Sequence, residues 1–298
     1  MGRGLVLGLL LAGPAVAQEG PTWAEVGPLF AERCVRCHSG VEAPNGLSLD
    51  SHAAATAGSW FGPVLKPGDV EGSELLRRVK GLSRPAMPLV GEPLSEDEIG
   101  LIEAWVLAGL PEGEAPAAVA AAPEEPAVPA EGEPVTWVHV EGIFLRRCAE
   151  CHSDAREGGP PEGLRLSSLE EVLRGGERLA VIPGNAQASE IVRRIEGLAT
   201  PRMPHDGPPW LSDDQIALIR RWIDEGARDE GGEPSPVPVG AEVRLRGRMT
   251  GEREIDGAAF AVTGGTRIDD RPGVGEEAEV RGVVTEDGGV EATRWRDR

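Results

Sequence analysis

The sequence predicts a mainly α chain: two copies of one helical module, followed by a small all-β domain of the barrel type. Three observations predict it. Two long stretches resemble each other at offsets of 114 to 117 residues. Each copy finishes in an apolar stripe at helical spacing, and the last sixty residues switch to an alternation of period two.

The first element is not structural. Met1-Gly2-Arg3 is a short basic start, Leu5 to Leu11 is apolar, and Ala15-Val16-Ala17 is a small-residue cleavage site. Together they read as a secretory signal peptide over residues 1–17, leaving a mature chain that begins near Gln18. The apolar run is too short to span a bilayer, and no cysteine follows the cleavage point to carry a lipid. The expected location is periplasmic or secreted. The net charge of −20, with no Tyr and only four Phe, speaks against nucleic acid as a partner.

The first module occupies residues 18–110 and the second 136–230. Thr22-Trp23 leads to Phe30-Ala31-Glu32-Arg33-Cys34, and Thr136-Trp137 leads to Phe144-Leu145-Arg146-Arg147-Cys148. Trp23, Val26, Leu29/Phe30 and Arg33 fall at the spacing of a helix. Further on, Pro67-Gly68-Asp69 with Ser73 to Arg78 matches Pro183-Gly184-Asn185 with Ser189 to Arg194, so a short helix is expected after each Pro-Gly turn. The last helix of each module opens with a capping box, Ser95-Glu96-Asp97-Glu98 or Ser212-Asp213-Asp214-Gln215. The stripes Ile99, Ile102, Trp105, Val106 and Ile216, Ile219, Trp222, Ile223 follow. The four matched tryptophans, Trp23, Trp105, Trp137 and Trp222, read as core packing.

Residues 111–135 form a Pro/Ala/Glu-rich linker, with six Glu and no basic residue between Pro111 and Pro134. A shorter break, 231–238, precedes the β region at 239–298. There Val243/Leu245, Phe260/Val262, Ala278/Val280 and Val290/Ala292 alternate with polar residues. Asp256-Gly257, Gly264-Gly265 and Asp287-Gly288-Gly289 mark turns. Four or five short strands suggest an oligonucleotide-binding-like barrel. Arg244, Arg246 and Arg248 share one face, which is either a docking face or an ordinary solvated one.

The chemistry sits in Cys34-Val-Arg-Cys37-His38 and Cys148-Ala-Glu-Cys151-His152, which use all four cysteines. Two thiols one helical turn apart can add to the two vinyl groups of a haem, and the adjacent histidine can then reach the iron. Two covalently bound haems c are therefore expected. A zinc site would need a second Cys/His knuckle, and a redox dithiol gains nothing from the following histidine.

The sixth iron ligand decides between electron transfer and reactivity. Met87 and Met203 occupy matched Pro-x-Met-Pro sequences about 50 residues after the motif histidines. Flanking prolines offer a thioether from a stiff loop, whereas a core-filling Met needs no such frame. His52, His139 and His205 compete for the position, have no matched partners, and read as surface histidines.

Each module resembles a class I cytochrome c domain, of the planctomycete type. The likeness rests on Arg-Cys-x-x-Cys-His-Ser at 33–39 and 147–153, Gly-Leu-x-Leu at 46–49 and 163–166, the Pro-Gly turn, Met-Pro, and Leu-Ser before a last helix with Trp-Val/Ile. It implies thioether links at Cys34, Cys37, Cys148 and Cys151, and iron ligation by His38 with Met87 and His152 with Met203. The expected function is that of a periplasmic diheme cytochrome. It would carry single electrons between redox partners such as a dehydrogenase or membrane electron-transfer complex, with no catalytic residues of its own. Two alternatives remain open: a diheme enzyme, peroxidase-like or sulfur-oxidising, with one open haem; and a haem-based sensor or scaffold whose β domain binds a partner.

Overall fold

The computed structural model describes residues 20–40, 43–113, 129–130, 132–205, 207 and 209–298. The signal peptide and most of the long linker expected from the sequence lie outside the described residues.

The first module contains α1 (Trp23–Arg33), α2 (His52–Ala57), α3 (Glu74–Val79) and α4 (Glu96–Leu107). The second repeats them as α5 (Trp137–Arg147), α6 (Leu169–Arg174), α7 (Glu190–Ile195) and α8 (Asp213–Asp224). Both capping boxes form. Ser95 N–H donates to Glu98 Oε2 at 2.6 Å and Glu98 N–H to Ser95 Oγ at 3.2 Å, with the same pair between Ser212 and Gln215 at 3.0 and 3.2 Å.

The first and last helices of each copy pack on tryptophan. Trp23 and Trp105 have ring centroids 5.5 Å apart, as do Trp137 and Trp222. Both inner indoles satisfy their N–H on a backbone carbonyl, Trp105 on Pro111 and Trp222 on Arg228, each at 3.0 Å. The Pro-Gly turns dock on the same helices: Gly68 and Gly184, at φ 77° and 84°, donate to Val106 and Ile223 carbonyls at 2.7 Å. Glycine accepts that left-handed backbone without strain, which explains its place in both copies.

The C-terminal strands are β1 (Glu242–Gly251), β2 (Glu254–Ile255), β3 (Ala258–Ala259), β4 (Ala261–Ile268), β5 (Glu277–Val284) and β6 (Val290–Asp297). Two expectations need correction. A mainly α chain is contradicted, because the structure is only 29% helical; its helices run to six, eleven or twelve residues and long turns separate them. The expected barrel is also contradicted. The sheet is open and mixed in the order β3-β2-β1-β5-β6-β4, with β4 parallel to β6 and every other pair antiparallel. Phe260 alone separates the β3 edge from the β4 edge, so the sheet bends over its own core rather than continuing as a meander. Gly264-Gly265, expected as a turn, lies inside β4 where its register with β6 shifts.

This sheet is seated on the second module. Ile182 and Ala188 of that module belong to the same buried cluster as Leu245, Met249, Val280 and Trp295. At the boundary Arg193 is fully buried. Its guanidinium donates to Asp256 Oδ2 at 2.8 Å, to the Arg246 carbonyl at 2.7 Å and to the Ile255 carbonyl at 3.3 Å. A Cβ at position 247 would lie 1.8 Å from the Asp256 carboxylate, so Gly247 permits this close approach.

Candidate haem-attachment sites

Each attachment loop grows out of a helix end. Cys34 and Cys148 cap α1 and α5, donating their N–H groups to Phe30 and Phe144 carbonyls at 2.9 Å. One further turn follows, closed by His38 N–H on the Cys34 carbonyl at 2.9 Å and by His152 N–H on the Cys148 carbonyl at 3.0 Å. That turn keeps both thiols of a motif and its imidazole within one short piece of chain.

The imidazoles are then fixed by the Gly-Leu-x-Leu segments. His38 Nδ1 lies 3.1 Å from the Leu47 carbonyl and His152 Nδ1 3.0 Å from the Leu164 carbonyl. A carbonyl oxygen can only accept, so Nδ1 carries the proton and Nε2 keeps its lone pair for a metal. Leu49 and Leu166 complete the clamp by donating N–H to the carbonyls of His38 and His152, each at 2.8 Å. Burial pushes the pKa of both histidines down and holds the rings neutral, outweighing the opposing carbonyl bonds.

Burial likewise pushes the Cys34 thiol up to about 12, with Arg33 pulling weakly the other way, and it raises Cys37. Neither behaves as the low-pKa thiolate that a redox dithiol requires. Among the described residues no three His, Cys, Asp or Glu side chains gather as a metal-ion ligand set, as the zinc alternative would require.

Met87 and Met203 reach the same place in each copy. Met87 and Cys34 both pack against the first module's core, and Met203 and Cys148 against the second's. Their loops are tied to α3 and α7 by matched bonds: Met87 N–H to the Arg78 carbonyl at 3.1 Å, and Met203 N–H to the Arg194 carbonyl at 3.0 Å. The same arginines reach forward, Arg78 to the Pro85 carbonyl at 3.3 Å and Arg194 to the Pro201 carbonyl at 3.4 Å. Glu74 and Glu190 hold those guanidiniums at 2.9 and 2.7 Å. These residues fall within the matched segments Ser73 to Arg78 and Ser189 to Arg194, and the i, i+4 pairing of Glu with Arg repeated in both copies was the available clue to this positioning role.

The competing histidines lie elsewhere. His205 is exposed. His52 is half-buried, 2.9 Å from the Leu110 carbonyl and edge-on to Trp23 and Trp105. His139 is buried and receives the Thr136 N–H at 2.9 Å, serving as a cap where the first module has Glu25. The reading of all three as surface histidines therefore holds for His205 only.

Two segments of the chain match the planctomycete cytochrome C family. They span residues 34–88 and 148–207, running from the first cysteine of each motif past the loop methionine. The match supports cytochrome c-type domains in both places, and with them covalent haem c and haem-based electron transfer. No curated protein and no solved structure matches the chain. The donor set fits the group: paired thiols, an imidazole with a free Nε2 and a thioether, repeated once. No described helix is long and apolar enough to cross a membrane.

Proposed function

We propose that the chain is an exported diheme c-type cytochrome that carries single electrons between redox partners. The supporting observation is the duplicated frame, in which imidazole, thiol pair and thioether loop are held by the same backbone bonds in both copies. When bound, haem supplies one-electron chemistry at its iron. The residues bind and orient it. Cys34 with Cys37, and Cys148 with Cys151, form the thioether links, and His38 and His152 offer Nε2 because Leu47 and Leu164 fix the opposite nitrogen. Met87 and Met203 would offer their thioethers to the iron from loops pinned by Arg78 and Arg194.

A relay between two haems is supported by the contact of the modules. Arg36, inside the first attachment loop, is bonded to Glu141 on α5, the helix that runs into the second loop. The basic start, apolar run and small-residue site within residues 1–17 support export, and the acidic balance favours partners with basic docking faces, as a dehydrogenase or membrane complex would present.

The test is the visible spectrum of the reduced, haem-matured protein before and after carbon monoxide. Two c-type haems with an unchanged spectrum support a carrier with both sixth positions filled. Carbon monoxide binding to either haem would instead indicate an open iron and a reactive or sensing role.

A further inference from the structure

The arginine stripe of β1 has no part in the attachment sites, and the structure shows what surrounds it. Arg246 stands opposite Glu279 of β5, and Glu279 stands opposite Arg296 of β6. The Glu279 carboxylate is only 2% exposed and serves four guanidiniums. Arg244 and Arg246 donate to Oε2 at 2.8 and 2.6 Å, and Arg281 and Arg296 to Oε1 at 3.2 and 3.0 Å. Four positive charges on one negative charge leave a surplus on a single sheet face, inside a chain of net charge −20.

Each of these guanidiniums spends one nitrogen on Glu279, although a guanidinium has five N–H donors. Arg244, which lines a cleft beside the stripe, has a buried Nε–H without a hydrogen-bond partner among the described residues; Arg296, outside that lining, has another. Unsatisfied charged donors beside a surplus of like charge are costly unless an anion answers them.

The stripe forms one wall of a cleft of ≈ 330 Å³. Gly197 to Thr200, the turn that follows α7, forms part of the other, where Arg194 and Arg178 also stand, Arg178 being held by Glu162 at 2.6 Å. The acidic groups at this cleft are already engaged. Asp256 is held by Arg193 at 2.8 Å and Glu190 by Arg194 at 2.7 Å. Glu277 stands 3.9 Å from Arg248 at the exposed rim.

We propose that this cleft, between the second haem module and the β sheet, binds a small oxyanion carrying at least two negative charges, of the sulfate or phosphate class. Planar guanidinium forks match oxyanions in paired hydrogen bonds better than they match a spherical halide. The cleft is walled on two sides and lies at the small end of the ligand-site range, which suits a compact ion rather than the broad face of an acidic protein.

The test is calorimetric titration of the full-length matured protein with sodium sulfate and with sodium phosphate, ionic strength held constant with chloride. A saturable one-to-one isotherm is expected for at least one of them. Arg246→Gln should weaken it roughly tenfold or more, the loss of a hydrogen bond to a charged group. Arg248→Gln should weaken it in the same direction with an unchanged melting temperature, since that side chain is 66% exposed and only loosely paired. Arg77→Gln, an exposed arginine of the first module that does not line the cleft, should leave binding as in the parent. If Arg246→Gln fails to fold, Arg248→Gln carries the test. Heats that only rise in proportion to added anion, affinity unchanged in the Arg248 variant, or binding of an acidic peptide without binding of either ion would overturn the proposal.

Discussion

The two cytochrome c-type modules share a frame and differ in what their outer surface meets. Around the start of the short third helix, the first module exposes Lys66, Glu71 and Arg77 beside a half-buried Gly72, while the second places Ile182, Gln187, Arg193 and Ala188 at the corresponding positions. Ile182 and Ala188 belong to the β-sheet core, Gln187 donates to the Asp256 carbonyl at 2.5 Å, and Arg193 is fully buried. The attachment geometry is unaffected: His38 and His152 sit 3.1 and 3.0 Å from their carbonyls. Duplication therefore kept the bonds that fix the Cys-x-x-Cys-His turn and left another surface of the second copy free to acquire a partner domain.

That comparison can be broken most directly in the shared core. Trp105→Ala and Trp222→Ala each remove a fully buried indole at the crossing of first and last helices. Each should cost about 3–5 kcal/mol by denaturant unfolding of the matured protein. A large cost in one module and none in the other would show that the frames are not equivalent.

The difference is sharpened by the arginine pair. Arg193→Ala leaves Asp256 without its partner at the sheet boundary and should destabilise by about 3–5 kcal/mol, whereas exposed Arg77→Ala should stay within about 0.5 kcal/mol. Equal effects in calorimetric melting would contradict the seating of the sheet on the second module.

Acid should also separate the regions. Burial alone would raise the Glu279 pKa, but the bonds from Arg246, Arg296 and Arg244 prevail and hold it at about 2, down from an ordinary 4.5. A depressed carboxyl contributes stability that is complete above the ordinary value and lost as pH falls toward the folded one. Resistance to unfolding, followed by the tryptophan fluorescence to which Trp295 of the sheet contributes, should therefore fall between pH about 4.5 and about 2, and Glu279→Gln should make that fall smaller.

The smallest effect belongs to the caps. Ser95→Ala and Ser212→Ala should each cost about 1 kcal/mol, equally in the two copies, because both serines accept the third helical amide at 3.2 Å.

The helices and the Cys-x-x-Cys-His turns were legible because their signals are local. A capping box, a Cys-x-x-Cys-His turn and a Pro-Gly turn each fit within a few residues, and duplication repeats the message. Period-two alternation identified sheet faces, with Val243 and Leu245 inward on β1. It could not specify the pairing of β4 with β6 or the open edges, which are settled by contacts distant in sequence. The same limit hid His52 as an aromatic neighbour, whereas His139 caps Thr136 locally and was missed because histidine stands where a capping box ordinarily has Glu or Gln. Arg193 was read only as the repeat of Arg77; the change of Lys66 to Ile182 was the available clue that this surface of the second module is covered.

The most direct measurement of the central claim, that each module holds its own haem, is the intact mass of the matured protein under denaturing conditions. It should be taken for the parent and for the variants Cys34→Ala/Cys37→Ala and Cys148→Ala/Cys151→Ala. The account predicts two covalently retained haems in the parent and one in each variant. One haem in the parent, or a variant that keeps two, would contradict it.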